Sequence, residues 1–239
     1  MDNVLSSTKV FNVFVTRLDV SDDVSIHNAI NSGISKFGSI DVLLNNAGYG
    51  AYGPLEAFSK DQIVRQFNTN VIGLLEVSKA LMPHFRKNKG GIIINISSIA
   101  GKMTLPFGAL YHGSKFAVEG ISEALSFEME QFGGKMKIIE PGAIATEFAG
   151  RSLDMSNDEK LTEYQDLVGK LLSNVKNMFE QASPASVVAD VIYEAATDNT
   201  ARLRYTAGED AKIIIDNRHQ LGDDAFITEI KKQFGISLK

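Results

Sequence analysis

The sequence predicts a doubly wound α/β fold, a mostly parallel sheet with helices on both faces. Three observations carry that prediction. Short apolar runs alternate with amphipathic helical stretches, without internal repeats or an obvious linker. IDVLLNNAG at 40–48 and GGIIINISS at 90–98 are apolar throughout, as strands buried on both faces of a parallel sheet would be. Residues able to do chemistry then follow the strands. Asp19, the NNAG turn, Ser98 and the Pro141-Gly142 turn each stand where a run ends, and ligands of such sheets sit outside the carboxyl ends of the strands.

In order, VFVTRLDV at 13–20 reads as a strand ending at Asp19. Ser21 is placed to cap the next helix, with two aspartates in its first turn. Val24, Ile26, Ile30, Ile34 and Phe37 give that helix an apolar face, and Gly38 suits its end. The strand at 40–48 follows. Ser59 to Gln62 has the form of a capping box. A long helix then turns Ile63, Phe67, Val71, Leu74 and Leu81 inward, with Pro83 bending or ending it. After the strand at 90–98, residues 109–133 are helical. KIIEPG at 137–142 is a short strand. Residues 147–182 are polar, helical in parts, and without a β pattern. Ser183 and Pro184 suit the cap and first position of a helix with Val187, Val188, Val191, Ile192 and Ala195 on its apolar face. RLRYTAG at 202–208 is the last strand, and two short helices close the chain.

Composition narrows the partners. The chain has 239 residues, 44% hydrophobic and 22% charged, enough for a sizeable core. A net charge of −5 argues against nucleic acid as a main partner. With no cysteine there is no disulfide and no thiolate metal site. His27, His84, His112 and His219 show no ligand spacing and read as structural or surface residues. The longest apolar run, at 92–96, is too short to span a membrane, and the N-terminus lacks the pattern of a signal peptide. Cytoplasm is the default location.

The stretch NISSIAGKMTLPFGALYHGSK at 95–115 carries the chemistry. Tyr111 and Lys115 are four apart and share a helix face. An ammonium beside a phenol favours the phenolate and lowers its pKa from about 10. A tyrosine so tuned can exchange a proton with a carbonyl or alcohol oxygen. Ser98 can offer its hydroxyl to the same oxygen. With six tyrosines in the chain, one Y-x-x-x-K pair is weak alone, and its context decides. GYGAYG at 48–53 fits G-x-G-x-x-G letter for letter, yet Pro54-Leu55-Glu56 follows where a helix must open. It is read as a loop near the active cleft, with Tyr49 and Tyr52 facing either a substrate or the surface.

From about Val13 onward, LDV at 18–20, NNAG at 45–48, NTNVIG at 68–73, NISSIAG at 95–101, YHGSK at 111–115 and EPGAIATEF at 140–148 stand in one order and spacing. In these motifs the chain resembles the classical short-chain dehydrogenase/reductases, and NAGYGAYGPLE and SKFAVEG resemble members near retinol and hydroxysteroid dehydrogenases. The resemblance implies a Rossmann-like sheet and an NADP- or NAD-dependent interconversion of a secondary alcohol and a ketone or aldehyde. Tyr111 would be the general acid/base, Lys115 would hold the nicotinamide ribose, Ser98 would bond the substrate oxygen and Asn70 would steady a water. Asp19 and Val20 would touch the adenine, and Asn46, Ala47 and Gly48 the adenosine ribose. Pro141, Gly142, Ile144 and Thr146 would hold the nicotinamide. Residues 147–182 match the family's variable substrate loop within a domain spanning 1–239. The substrate would be a small carbonyl or alcohol of apolar character. The helices beginning near Ser59 and Leu110 would pair in a homo-oligomer.

The resemblance also implies a departure. Family members open with a strand, a TGxxxGxG turn, a helix and a second strand, and Met1 falls after all of them. That unit would be missing, along with its pyrophosphate-binding turn, leaving sheet edges bare or the third strand unpaired. Two functional readings follow: an oxidoreductase whose native chain begins upstream of Met1, or a catalytically silent truncated form acting as a fragment or dimerisation partner. A flavodoxin-like binding domain shares the sheet but leaves the order of Asn70, Ser98, Tyr111 and Lys115 unexplained.

Overall fold

The computed structural model of the chain describes residues 12–236. In order the elements are α1 (Asp23–Phe37), β1 (Val42–Asn45), β2 (Gly50–Tyr52), α2 (Lys60–Phe67), α3 (Leu74–Asn88), β3 (Gly91–Ile96) and α4 (Ala109–Glu130). There follow β4 (Gly134–Pro141), β5 (Ile144–Ala145), β6 (Leu153–Met155), α5 (Thr162–Glu180), β7 (Ser183–Pro184), α6 (Ala185–Thr197), β8 (Arg204–Ala207) and α7 (Glu209–Gln233). The main sheet is parallel, in the order β1-β3-β4-β8. Two small parallel ribbons, β2 with β6 and β5 with β7, lie apart from it. This is the predicted doubly wound arrangement.

The middle of the sheet is buried from both sides. Ile93 joins Leu81, Phe85, Met129 and Met136 in a core formed with α3 and α4. Its neighbour Ile94 joins Ile139, Ala195, Tyr205 and Ala207 in a second core under α6. Successive strand residues face opposite ways, so the III run of β3 feeds both cores. Each such side chain contributes about 1.5–3 kcal/mol by leaving water.

Several elements differ from the sequence reading. Residues 13–20 form no strand; with no neighbouring strand to bond, Val13, Phe14, Val15 and Leu18 are left exposed. β1 is an edge strand rather than a doubly buried one, and Val42 and Leu44 are exposed on it. Asp22, not Ser21, caps α1 by accepting from the Val24 and Ser25 N–H groups. Val24 and Phe37 are exposed, so the apolar face of α1 is narrower than expected. The capping box of Ser59 and Gln62 forms as read. The long helix after it carries a π-helical turn at Asn68–Gly73, and α3 runs through Pro83 to Asn88. Residues 153–155 do form a strand, because Gly50 donates to the Ser152 carbonyl and Ser156 to the Tyr52 carbonyl, both at 2.9 Å. Three residues are too few to show a period. Pro184 takes the cap position of α6, and Ser183 and Pro184 both pair in the β5–β7 ribbon. Gly222, with φ 71°, divides α7 into two helices, as expected.

Candidate active site

The carboxyl ends of β3 and β4 meet the start of α4 at one cavity of about 870 Å³. Ser98 follows β3. Its hydroxyl accepts the Ala100 N–H at 3.1 Å and donates to the Pro141 carbonyl at 3.4 Å, so it joins the two strand ends. Tyr111 and Lys115 come from the first turns of α4. The Lys115 ammonium donates to the Ile96 carbonyl at 2.8 Å and lies 5.9 Å from the centre of the Tyr111 ring. Ser98, Tyr111, Lys115, Asn46, Gly48, Pro141, Gly142, Ile144 and Thr146 all line the cavity.

The electrostatics correct the sequence reading. Burial pushes the Tyr111 phenol up to about 12, with the Ser98 hydroxyl pulling the other way. Lys115 does not lower it, because its ammonium is turned to a backbone carbonyl. Burial also brings the Lys115 ammonium down to about 8, opposed by the charge of Glu119. Desolvation disfavours the charged form of both groups. Tyr111 therefore holds its proton near neutral pH.

Asn70 lies in the π-helical turn and is fully engaged. Its side-chain oxygen accepts the Tyr49 N–H at 3.0 Å. Its amide donates to the Tyr49 carbonyl at 2.8 Å and to Ser114 Oγ at 3.0 Å. It thus ties the NNAG turn to α4. A Cβ on Gly48 would lie 3.2 Å from Asn70 Oδ1 and 3.9 Å from Lys115 Nζ, so glycine keeps that corner of the cavity open. Asn46 and Ala47, with Leu18 and Val20, line a second pocket of about 120 Å³ beside β1. Asp19 lines neither cavity. Its exposed carboxylate accepts from the Ser21 N–H at 3.0 Å and the Ser21 hydroxyl at 2.6 Å, which hold it below the usual carboxylate range. Thr146 Oγ accepts the Phe148 N–H at 3.3 Å.

Tyr52 lines the cavity, its ring 5.6 Å from that of Tyr111. Tyr49 instead accepts from Arg65 Nε at 3.2 Å. The GYGAYG stretch becomes β2 and its flanks, and no α-helix opens there. Sequence reasoning missed three neighbours. His112 Nδ1 lies 3.0 Å from the Ala100 carbonyl, while its Nε2 takes the Leu105 N–H at 3.1 Å and lies 3.4 Å from the Tyr52 hydroxyl. Those partners fit a neutral ring protonated at Nδ1. The Phe148 ring lies tilted by 48° against that of Tyr111, 5.4 Å between centres. Asp210 accepts the Ala143 N–H at 2.7 Å and braces the turn after β4. Only the adjacency of His112 to Tyr111 was visible in the sequence. Among the described residues no group of three His, Cys, Asp or Glu could hold a metal ion.

The chain is similar to known proteins over most of its length. The family model for short chain dehydrogenases matches residues 2–157. An uncharacterised oxidoreductase of Schizosaccharomyces pombe is 46% identical over 229 residues, 96% of each chain. Human retinol dehydrogenase 8 is 40% identical over 139 residues, 58% of this chain and 44% of that one. A short-chain dehydrogenase of Streptomyces avermitilis superposes with a TM-score of 0.76 at 27% identity, covering 92% of this chain and 79% of its own. ElxO, solved with NADP bound, gives 0.64 at 28% identity, covering 80% and 75%.

Proposed function

The chain belongs to the short-chain dehydrogenase family, and from that premise we propose that it is an NAD(P)-dependent oxidoreductase interconverting a secondary alcohol and a ketone or aldehyde. The observation that carries the reading is the convergence of Ser98, Tyr111 and Lys115 on one cavity at the carboxyl edge of the sheet. The residues fit a nicotinamide dinucleotide: Gly48 leaves a cradle that a Cβ would narrow, and the buried Lys115 ammonium has a single acceptor. NADP in the ElxO structure supports the same assignment.

In reduction, Tyr111 enters protonated and gives its proton to the substrate oxygen. Ser98 releases its long bond to the Pro141 carbonyl and donates to that same oxygen. The Lys115 ammonium, beside Tyr111 and with one acceptor, would hold the ribose. The bound cofactor supplies the hydride. Asn70 keeps the Asn46–Gly48 turn at its distance from α4. Asp19 and Val20 would meet the adenine, Asn46, Ala47 and Gly48 the adenosine ribose, and Pro141, Gly142, Ile144 and Thr146 the nicotinamide.

Besides Tyr52, Tyr111, His112 and Lys115, the lining holds one ionisable side chain, Glu229. Leu171, Val175, Met178, Ile192, Phe226 and Ile230 form much of the rest. That lining suits an uncharged substrate with an apolar body, and the likeness to retinol dehydrogenase 8 points the same way. Val64, Ile72, Phe116 and Phe127 are exposed along α2, the π-helical turn and α4, which supports pairing of these helices between two copies. No helix among the described residues is long and apolar enough to cross a membrane, and the cytoplasm is the proposed location.

Titration with NADPH and with NADH, followed by cofactor fluorescence, tests the proposal. Saturable binding and turnover of an apolar ketone, both with Tyr111 in place, are expected. A folded chain that binds neither cofactor would overturn it.

A further inference from the structure

Among the described residues four buried side-chain oxygens have no hydrogen-bond partner: Asp210 Oδ1 at the turn after β4, and three that stand together, Ser97 Oγ, Glu119 Oε1 and Glu140 Oε1. The three belong to one cluster. Glu119 (α4) and Glu140 (β4) converge on the same nitrogen, Arg204 Nε of β8, at 2.9 and 3.7 Å. Their side chains are only 6% and 3% exposed. Ser97 closes the group from the end of β3. A Cβ on Gly101 would lie 2.8 Å from Ser97 Oγ and 2.9 Å from Glu119 Cγ, so only glycine lets that turn press both together. Among the described residues Lys102, Glu123 and Thr206 also meet the cluster. Lys102 lies 4.0 Å from Glu119, on the turn after Gly101. Glu123, half-exposed, takes the other arm of Arg204 at 2.5 Å. Thr206 Oγ donates to Glu140 Oε2 at 3.4 Å. Lys115 stands one helical turn before Glu119.

Two carboxylates sharing one guanidinium that also serves a third cannot both remain charged out of water without large cost. Glu119 has the closer contact with Arg204 and the nearer Lys102. We propose that Glu119 and Glu140 hold a single proton between them, carried by Glu140, and that the ionised Glu119 is a positioning residue that keeps the Lys115 ammonium charged. The electrostatics agree. Burial first, and the charge of Glu119 second, push Glu140 up to about 7, while Glu119 acts on Lys115 against its desolvation. The consequence for turnover rests on the role given to Lys115 above; the two readouts below do not require turnover.

The first readout is thermal unfolding against pH for the wild type and Glu140→Gln. A carboxyl raised in the folded state binds its proton more tightly there than in the unfolded chain. Its stabilising effect is therefore complete below about pH 4.5 and is lost as pH rises through about 7. The wild type is expected to lose melting temperature across that window, and Glu140→Gln to lose less. Parallel profiles would overturn the shared proton. The second readout is competitive acetylation of Lys115 against pH, read by mass spectrometry. Glu119→Gln is expected to lower the Lys115 midpoint by about one unit, a tenfold gain in free amine below the midpoint. Glu140→Gln is expected to leave it in place. An unmoved midpoint in Glu119→Gln would overturn the positioning role. If that variant does not fold, the double variant, which leaves Arg204 to Glu123, carries the same comparison.

Discussion

Lys115 and Lys137 are both buried lysines of one sheet-and-helix layer, and their surroundings are opposite. The Lys137 ammonium, on β4, meets Tyr205 Oη at 2.6 Å, the Arg202 carbonyl at 2.8 Å, the Thr200 carbonyl at 2.9 Å and Asp198 Oδ1 at 3.3 Å. Three N–H donors have four acceptors and a counter-charge, and the group fastens the turn before β8 to the sheet. Lys115 has one acceptor, the Ile96 carbonyl, and faces a cavity. A buried ammonium with its donors fully used is architecture. One with donors to spare, kept charged against desolvation, is held ready for a ligand.

The largest expected effect lies beside Lys115. Tyr111→Phe should cut turnover by roughly 10²–10⁴-fold with an unchanged melting temperature, because it removes a proton donor and leaves the packing. Retained turnover in steady-state assays would take Tyr111 out of the acid/base role. Next come the two lysines, tested as a pair. Lys115→Met should abolish saturable cofactor binding while leaving stability equal or higher, since an under-partnered buried charge is replaced by an apolar chain. Lys137→Met should do the reverse, with activity per folded molecule kept. The freed acceptors and the broken ion pair cost about 3 kcal/mol, a fall of roughly 6–12 °C by calorimetry. Equal melting temperatures for the two variants would break the contrast.

A pH titration sharpens it further. The folded-state pKa of Lys115 is depressed from 10.5 to about 8, so its burial penalty is complete below about pH 8 and relieved as pH rises toward 10.5. Chemical denaturation should show stability gained in that window, up to about 3 kcal/mol, and lost from the Lys115→Met difference curve. The smallest effect is expected at Asp19→Asn. An exposed carboxylate bonded to Ser21 of its own turn and paired at 3.6 Å with the exposed Arg17 should leave the melting temperature within a degree or two and weaken cofactor affinity less than tenfold, by fluorescence titration.

Much of this was legible beforehand. The apolar III run of β3 could serve only a doubly covered strand, and Ser59 with Gln62 could be read as a cap because capping is decided within one turn. The ordered Asn70, Ser98, Tyr111 and Lys115 pointed to one cavity, and Ser98, Tyr111 and Lys115 line it. Residues 13–20 misled, because an apolar stretch makes a strand only beside another strand. The pairing of residues 50–52 with 153–155 was invisible, since it joins segments about a hundred positions apart through backbone groups.

The sequence by itself determined the class of fold and put Ser98, Tyr111 and Lys115 forward as candidates, which the fold gathers at one cavity on the carboxyl edge of the sheet. These follow from local periodicity and from residue chemistry at strand ends. Only the tertiary structure decided the charge states. It turned Lys115 to the Ile96 carbonyl, left Tyr111 protonated, engaged Asn70 with Tyr49, and brought Glu119 and Glu140 onto one arginine. Desolvation depends on everything that surrounds a group, and no local stretch of sequence specifies that.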